Sequence, residues 1–308
     1  MLRNFVLFLS ENKSLKKFIT NFTLIKEMAG RFVVGDTLQE AVPRVREINK
    51  MGMNVTMDHL GEHVNDTEEA DASADAYLNL LDTIQKERLK AHISIKLTQM
   101  GLSIDREFCI NNVEKIIKKA REYENFVRID MEGSLYTQET LNIFYSLREK
   151  YDNVGIVIQS YLHRSEEDIM ELIKKKGFVR LCKGAYEEPS SIAFKNKKDV
   201  EDNYLKLTRL LLDSKILNEG YYPAIATHDV KMIIGVKKYV REQNIEPNKF
   251  EFQMLYGVRR DLQKILRDEG YNVRLYVPYG REWYAYYLRR LGERTDNVTF
   301  LLRNLMLD

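Results

Sequence analysis

Polar and charged residues recur near the ends of short apolar runs in this chain: Lys96, Asp130, Gln159 and Arg180. His59, Lys183, Thr227, His228, Gln253 and Tyr276 occupy comparable places in other runs. Two cations, a carboxylate and an amide brought together suit a small anionic or zwitterionic ligand, gripped through charge-assisted hydrogen bonds. Any single pair, such as Asp130 with Arg180, reads equally well as an internal brace that binds nothing. Convergence of five or more such groups points instead to a cleft with chemistry in it.

A second cluster lies at 284–294, Tyr-Ala-Tyr-Tyr-Leu-Arg-Arg-Leu-Gly-Glu-Arg. At 3.6 residues per turn, Tyr284, Tyr287, Leu288 and Leu291 form one stripe of a helix and Tyr286, Arg289, Arg290 and Glu293 the opposite one. Periodicity alone makes this a packed face opposite a solvated one. Position makes it a pair of guanidiniums suited to bidentate grip on a carboxylate, with Glu293 four residues beyond Arg289. His59 and His63 have i, i+4 spacing, but no HExxH motif is present and the chain has five histidines, so no metal centre is expected. The two histidines read as part of the first strand–helix turn.

The elements that must position these groups follow from period. Eight runs, 55–60, 91–97, 126–132, 154–161, 178–184, 222–229, 250–257 and 273–280, predict strands, whose side chains alternate faces. In 91–97, Ala91, Ile93, Ile95 and Leu97 oppose His92, Ser94 and Lys96. In 126–132, Val127, Ile129 and Met131 oppose Arg128 and Asp130; in 178–184, Val179 and Leu181 oppose Arg180 and Cys182. A sheet with one greasy and one charged face is costly to bury unless the charged face surrounds something polar. Helical periodicity fills the gaps at 66–88, 105–123, 137–150, 165–176, 199–219, 230–243, 259–269 and 281–291. Asp66 is expected as an N-cap, Ser165 with Asp168 as a capping box, and Gly177, Gly220 and Gly270 as helix closers.

Strict strand–helix alternation predicts an α/β fold, a closed parallel (β/α)8 TIM barrel with its site at the C-terminal strand ends. A doubly wound open sheet is the alternative, but neither GxGxxG nor a P-loop occurs. Residues 1–50 read as an N-terminal helical arm and 51–308 as the barrel, within a single domain. With 48 basic and 46 acidic side chains the net charge is +2, so no long-range field draws nucleic acid. No signal peptide and no run of the roughly 20 apolar residues that span a bilayer is evident. Two cysteines build no disulfide framework, and a cytoplasmic protein is expected.

Arg180-Leu-Cys-Lys183-Gly184-Ala185-Tyr186 resembles a strand-five motif of the proline dehydrogenases. Ile158-Gln159-Ser-Tyr161, Ala226-Thr227-His228-Asp229, Glu251-Phe-Gln253-Met-Leu-Tyr256-Gly257, Tyr276-Val-Pro-Tyr279-Gly280 and the final Tyr287-Leu-Arg289-Arg290-Leu with Glu293 resemble others, in family order. The resemblance implies a distorted barrel carrying FAD that oxidises L-proline to 1-pyrroline-5-carboxylate and passes electrons to membrane quinone. It implies Met131, Gln159, Arg180, Lys183, Gly184, Ala185, Thr227 and His228 as the FAD contacts. It implies Lys96, Tyr276, Arg289 and Arg290 as the substrate contacts, with Glu293 ordering the arginines. Asp130 and Arg180 become the residues nearest the chemistry. Membrane contact is expected to be peripheral. Two other classes stay in view: a Schiff-base lyase using Lys96 or Lys183, and a barrel that binds a small molecule without catalysis.

Overall fold

The computed structural model describes residues 30–61, 64–284, 286 and 287. Among them are eight strands: β1 Asn54–His59, β2 Ala91–Ile95, β3 Val127–Ile129, β4 Val154–Gln159, β5 Phe178–Cys182, β6 Ala224–Ala226, β7 Glu251–Leu255 and β8 Asn272–Tyr279. Each pairs in parallel with the next, and β8 returns to β1 with Asn54 opposite Arg274 and His59 opposite Tyr279, closing the barrel. The helices are α1 Leu38–Lys50, α2 Thr67–Lys86, α3 Arg106–Glu122, α4 Ser134–Arg148, α5 Ser165–Lys174, α6 Lys197–Leu211, α7 Ser214–Asn218, α8 Val230–Glu242 and α9 Arg260–Asp268. Among the described residues no helix is long and apolar enough to cross a membrane.

Parity explains why the barrel closes. Val55, Met57, Ile93, Ile95, Val127, Ile129, Val179, Leu181, Phe252 and Leu275 face outward and are buried in one continuous core. Each such side chain removed from water contributes roughly 1.5–3 kcal/mol. Their neighbours face inward, and there three buried cations meet carboxylates from other strands. Lys96 Nζ lies 3.0 and 3.1 Å from the Asp58 carboxylate, Arg180 Nη1 lies 2.8 Å from Asp130, and Arg274 Nε lies 2.9 and 3.0 Å from Glu251. Taking such groups out of water is offset only when each finds a partner with good geometry.

The N-terminal part of the described chain packs at the same end. Val34 N donates to Pro278 O at 3.1 Å and Gly280 N to Gly35 O at 2.9 Å. Gly257, with φ +78°, lies so close to this segment that a Cβ would stand 1.7 Å from Arg31 O. Only glycine satisfies both the left-handed backbone and that approach. Residues 1–29 of the expected arm lie outside the described residues.

Several local expectations are corrected. The single helix expected over 199–219 is two, α6 and α7, broken at Leu212 and Asp213, where the Asp213 side chain caps the second. Ser165 does not cap α5; its Oγ donates backward to Leu162 O at 2.7 Å, and Arg164 is the N-cap, its side chain reaching Asp168 instead of capping a backbone N–H. The left-handed residue after α5 is Lys176 (φ 52°) rather than Gly177, whereas Gly220 and Gly270 do take φ +86° and +87°. Asp66 acts as expected. It accepts from Glu69 N at 2.9 Å, while Glu69 Oε2 accepts from Asn65 N at 2.8 Å. Replacing Asp66→Ala should therefore cost about 1 kcal/mol, read as a fall of a few degrees in Tm by calorimetry.

Candidate active site

The C-terminal ends of the strands enclose a cavity of about 780 Å³. Around it the structure gathers Lys96, Asp130, Met131, Gln159, Arg180, Lys183, Gly184, Ala185, Thr227, His228, Gln253 and Tyr276, from seven different strands or strand ends. Asp130 is the hub. Its carboxylate accepts from Arg180 Nη1 at 2.8 Å, from Ser94 Oγ at 2.6 Å and from Tyr276 Oη at 2.7 Å, and Lys96 Nζ is 4.0 Å away. Burial and the adjacent Asp130 charge push the Tyr276 phenol well above its usual range, so it stays a neutral donor. The Arg180 guanidinium also lies 5.3 Å from the Tyr276 ring centroid, a cation–π contact.

Among the described residues, three polar atoms at this cavity are buried without a partner: Arg180 Nε, Arg180 Nη2 and Gln159 Oε1. Gln159 is held in place because its Nε2 donates to Met131 O at 2.9 Å and Glu132 O at 3.1 Å, which leaves the acceptor turned elsewhere. Buried polar groups are almost always satisfied. Two unused donors and one unused acceptor therefore mark where a polar ligand edge belongs. His228 bridges the ends of β6 and β7, its Nε2 accepting from Leu255 N at 2.7 Å, which puts the ring proton on Nδ1. Lys183 Nζ is 2.6 Å from Asp229 and 3.6 Å from Glu201.

The loop after β5 forms one wall of this cavity and is fastened outside it. The Glu188 carboxylate accepts from Ser134 N at 2.6 Å and from Ser134 Oγ. It thereby caps α4, whose own N-cap, Gly133, has no side chain to do so. Phe194 N donates to Tyr161 O at 2.8 Å and His163 N to Ile192 O at 3.0 Å.

A family model described as proline dehydrogenase matches residues 41–303. The chain belongs to the proline dehydrogenase family. It is 43% identical over 303 residues to proline dehydrogenase 2 of Bacillus subtilis, covering 98% of each chain. It is 38% identical over 284 residues to the proline dehydrogenase of Deinococcus radiodurans, covering 91% of this chain and 90% of that one. Among solved structures, proline utilization A from Bdellovibrio bacteriovorus superposes with a TM-score of 0.81 at 26% identity. That match covers 89% of this chain and 34% of the other.

Within this proline dehydrogenase fold, several site expectations need revision. His59 does not reach the cavity: it shares the outward parity of Val55 and Met57, and its ring packs 5.2 Å from Tyr279 and 6.1 Å from Tyr77. Burial lowers its pKa. The inward residue of that run is Asp58, which the parity of Thr56 and Asp58 already signalled. Ser94 was likewise on the polar face but is a bridge rather than an end residue. The glycine at 184 answers to protein rather than to a ligand alone, since with φ +102° a Cβ there would lie 2.2 Å from the Tyr161 ring. Tyr286, placed on the solvated stripe by periodicity, is buried beside Tyr284 and Tyr287. Arg289, Arg290, Glu293 and His63 lie outside the described residues. Lys197 and Asp229 line the cavity with no local sequence signal for the former.

Two measurements test this geometry. Asp130→Ala leaves a buried guanidinium without its anion and should destabilise by about 3 kcal/mol, whereas Tyr276→Phe should cost about 1 kcal/mol. Urea denaturation reads both. Burial pushes the Cys109 thiol up to about 12 and the Cys182 thiol up to about 11. The fully buried Cys109 should not react with Ellman's reagent at pH 8 until the chain unfolds. An unfolded chain loses these protons first, so both thiols stabilise the fold below pH ~9 and stability falls as pH rises past it.

Proposed function

We propose that this protein oxidises L-proline to 1-pyrroline-5-carboxylate with FAD as its acceptor and passes the electrons on to a membrane quinone. The observation that supports it best is the set of unsatisfied groups in the cavity, Arg180 Nε and Nη2 with Gln159 Oε1. A flavin ring presents both acceptors and N–H donors along one edge, and these residues match that mixture. Arg180, Gln159, Met131, Lys183, Gly184, Ala185, Thr227 and His228 would hold the cofactor. When bound, FAD supplies a two-electron acceptor for the hydride on proline Cδ.

The chain's own residues do the rest. Lys96, held by Asp58, offers a fixed cation toward a substrate carboxylate. Arg289 and Arg290 are assigned, from their sequence motif, to grip that carboxylate bidentately, with Glu293 ordering them. Tyr276 turns its hydroxyl to Asp130, so its ring rather than its oxygen is left for the pyrrolidine. Asp130 aligns Arg180 and Tyr276 together. The proline amine gives up its proton as the C=N bond forms. A Schiff-base route needs a neutral amine, and each lysine proposed for it sits on a carboxylate, Lys96 on Asp58 and Lys183 on Asp229. We place the protein in the cytoplasm with peripheral membrane contact.

Purified protein should be yellow, and its visible flavin band should bleach when L-proline is added without oxygen. Absence of FAD, an unbleached band, or trapping of proline on a lysine by borohydride overturns the reading. Arg289→Met or Arg290→Met should raise KM for proline about tenfold or more, the loss of one charge-assisted contact, with FAD retained. Loss of FAD would remove these two residues from the substrate clamp.

A further inference from the structure

At the other end of the barrel, below the charge pairs already described, lies a second cavity of about 520 Å³. It opens between the N-terminal ends of the strands, remote from the strand ends where catalysis is placed. Arg128 lines it and is only 6% exposed. Lys96, Arg180 and Arg274 each have a carboxylate partner. Arg128 has none among the described residues. Its hydrogen bonds there come from Nη1 alone, to Ile156 O at 3.3 Å and to Phe178 O. Gly155 makes that reach possible, since a Cβ there would lie 2.5 Å from Nη1.

The Nε–Nη2 edge of the guanidinium is thus left over, and that edge fits a carboxylate bidentately. Aromatic rings surround it: the Phe126 centroid is 4.9 Å from the guanidinium carbon, and Phe178 and Tyr222 line the same cavity. The nearby charges are mixed. Arg274 on β8 is matched by Glu251 on β7, and Arg121 at the rim is accompanied by Glu124 and Asp152. Those two rim acids disfavour any ligand with more than one negative charge. His92 adds no positive charge, because burial, then Arg274, Arg128 and Arg180, holds its pKa well below the usual range. Burial, reinforced by Arg180 and Arg274 and opposed by Glu251, pulls Arg128 itself down to about 9, the signature of a cation short of an anion.

We propose that this floor cavity is a binding site for a small organic monocarboxylate with an apolar, planar body, its carboxylate seated on the Nε–Nη2 edge of Arg128. The probe is benzoate, titrated by calorimetry into the full-length protein and into three variants. Benzoate should bind one equivalent at this site, and binding should persist in Lys96→Met, which removes a cation from the upper cavity. Arg128→Gln should weaken it about tenfold or more. Arg128→Lys keeps the charge but loses the fork, and it should weaken binding likewise, which serves if the glutamine variant does not fold. Inorganic phosphate should bind far more weakly than benzoate. The proposal fails if benzoate gives no binding, if Arg128→Lys binds as the parent does, or if phosphate competes equally. It fails also if Lys96→Met abolishes binding, which would place benzoate in the upper cavity. A benzoate-soaked crystal should show the carboxylate on Arg128; density elsewhere overturns the site.

Discussion

The Asp130 carboxylate is the interaction on which the catalytic end of this barrel depends. It sits one step beyond β3, in a closed interior, and takes hydrogen bonds from a guanidinium, a serine hydroxyl and a tyrosine hydroxyl on three other strands. A lone carboxylate in such a place would be costly; with three donors it becomes a fixed point. Because it consumes Nη1 of Arg180, it decides which edge of that guanidinium remains for a ligand. Because it consumes the hydroxyl of Tyr276, it decides that the tyrosine presents a ring. The chemistry available in the cavity is what Asp130 leaves over.

Asp58 plays the same part for Lys96, and the two hubs differ in a useful way. Lys96 meets both oxygens of Asp58 and stands 4.0 Å from Asp130, so its ammonium is shared between two anions rather than matched to one. An additional negative group, such as a substrate carboxylate, would enter a site already rich in both signs and replace water rather than create a new pair. The barrel is therefore preorganised electrostatically before a ligand arrives, in the sense that few groups need to turn.

Much of this was legible in the chain. Period-two alternation in 91–97, 126–132 and 178–184 located Lys96, Asp130 and Arg180 on the inner face, and strict strand–helix alternation led to the closed barrel. Where reading failed, it failed for identifiable reasons. His59 was chosen by its type and by its place at the end of a run, although its parity with Val55 and Met57 pointed outward; Asp58, one residue earlier, obeyed the rule. Ser165 had capping-box spacing, but its hydroxyl found a nearer acceptor in Leu162. Lys197 lines the cavity, and Glu188 fastens from outside the loop that walls it; that loop's path depends on contacts with Ser134, Tyr161 and His163, and no local pattern encodes such contacts. Arg128 showed its inward parity, yet its lack of a carboxylate partner becomes visible only in three dimensions.

Closure of the barrel by β8 has a consequence for how the chain is made. Arg274 Nη1 donates to Val55 O across 219 positions of sequence, and the partners of Glu251 and Asp130 on that strand, Arg274 and Tyr276, leave the ribosome late. Until then β1 presents an unpaired edge, Glu251 lacks its cation and Asp130 lacks the last of its three donors. Nascent chains of this kind gain little by compacting early, since collapse would bury charge before its complement exists. Among the described strands β8 thus both seals the sheet and brings Glu251 its cation.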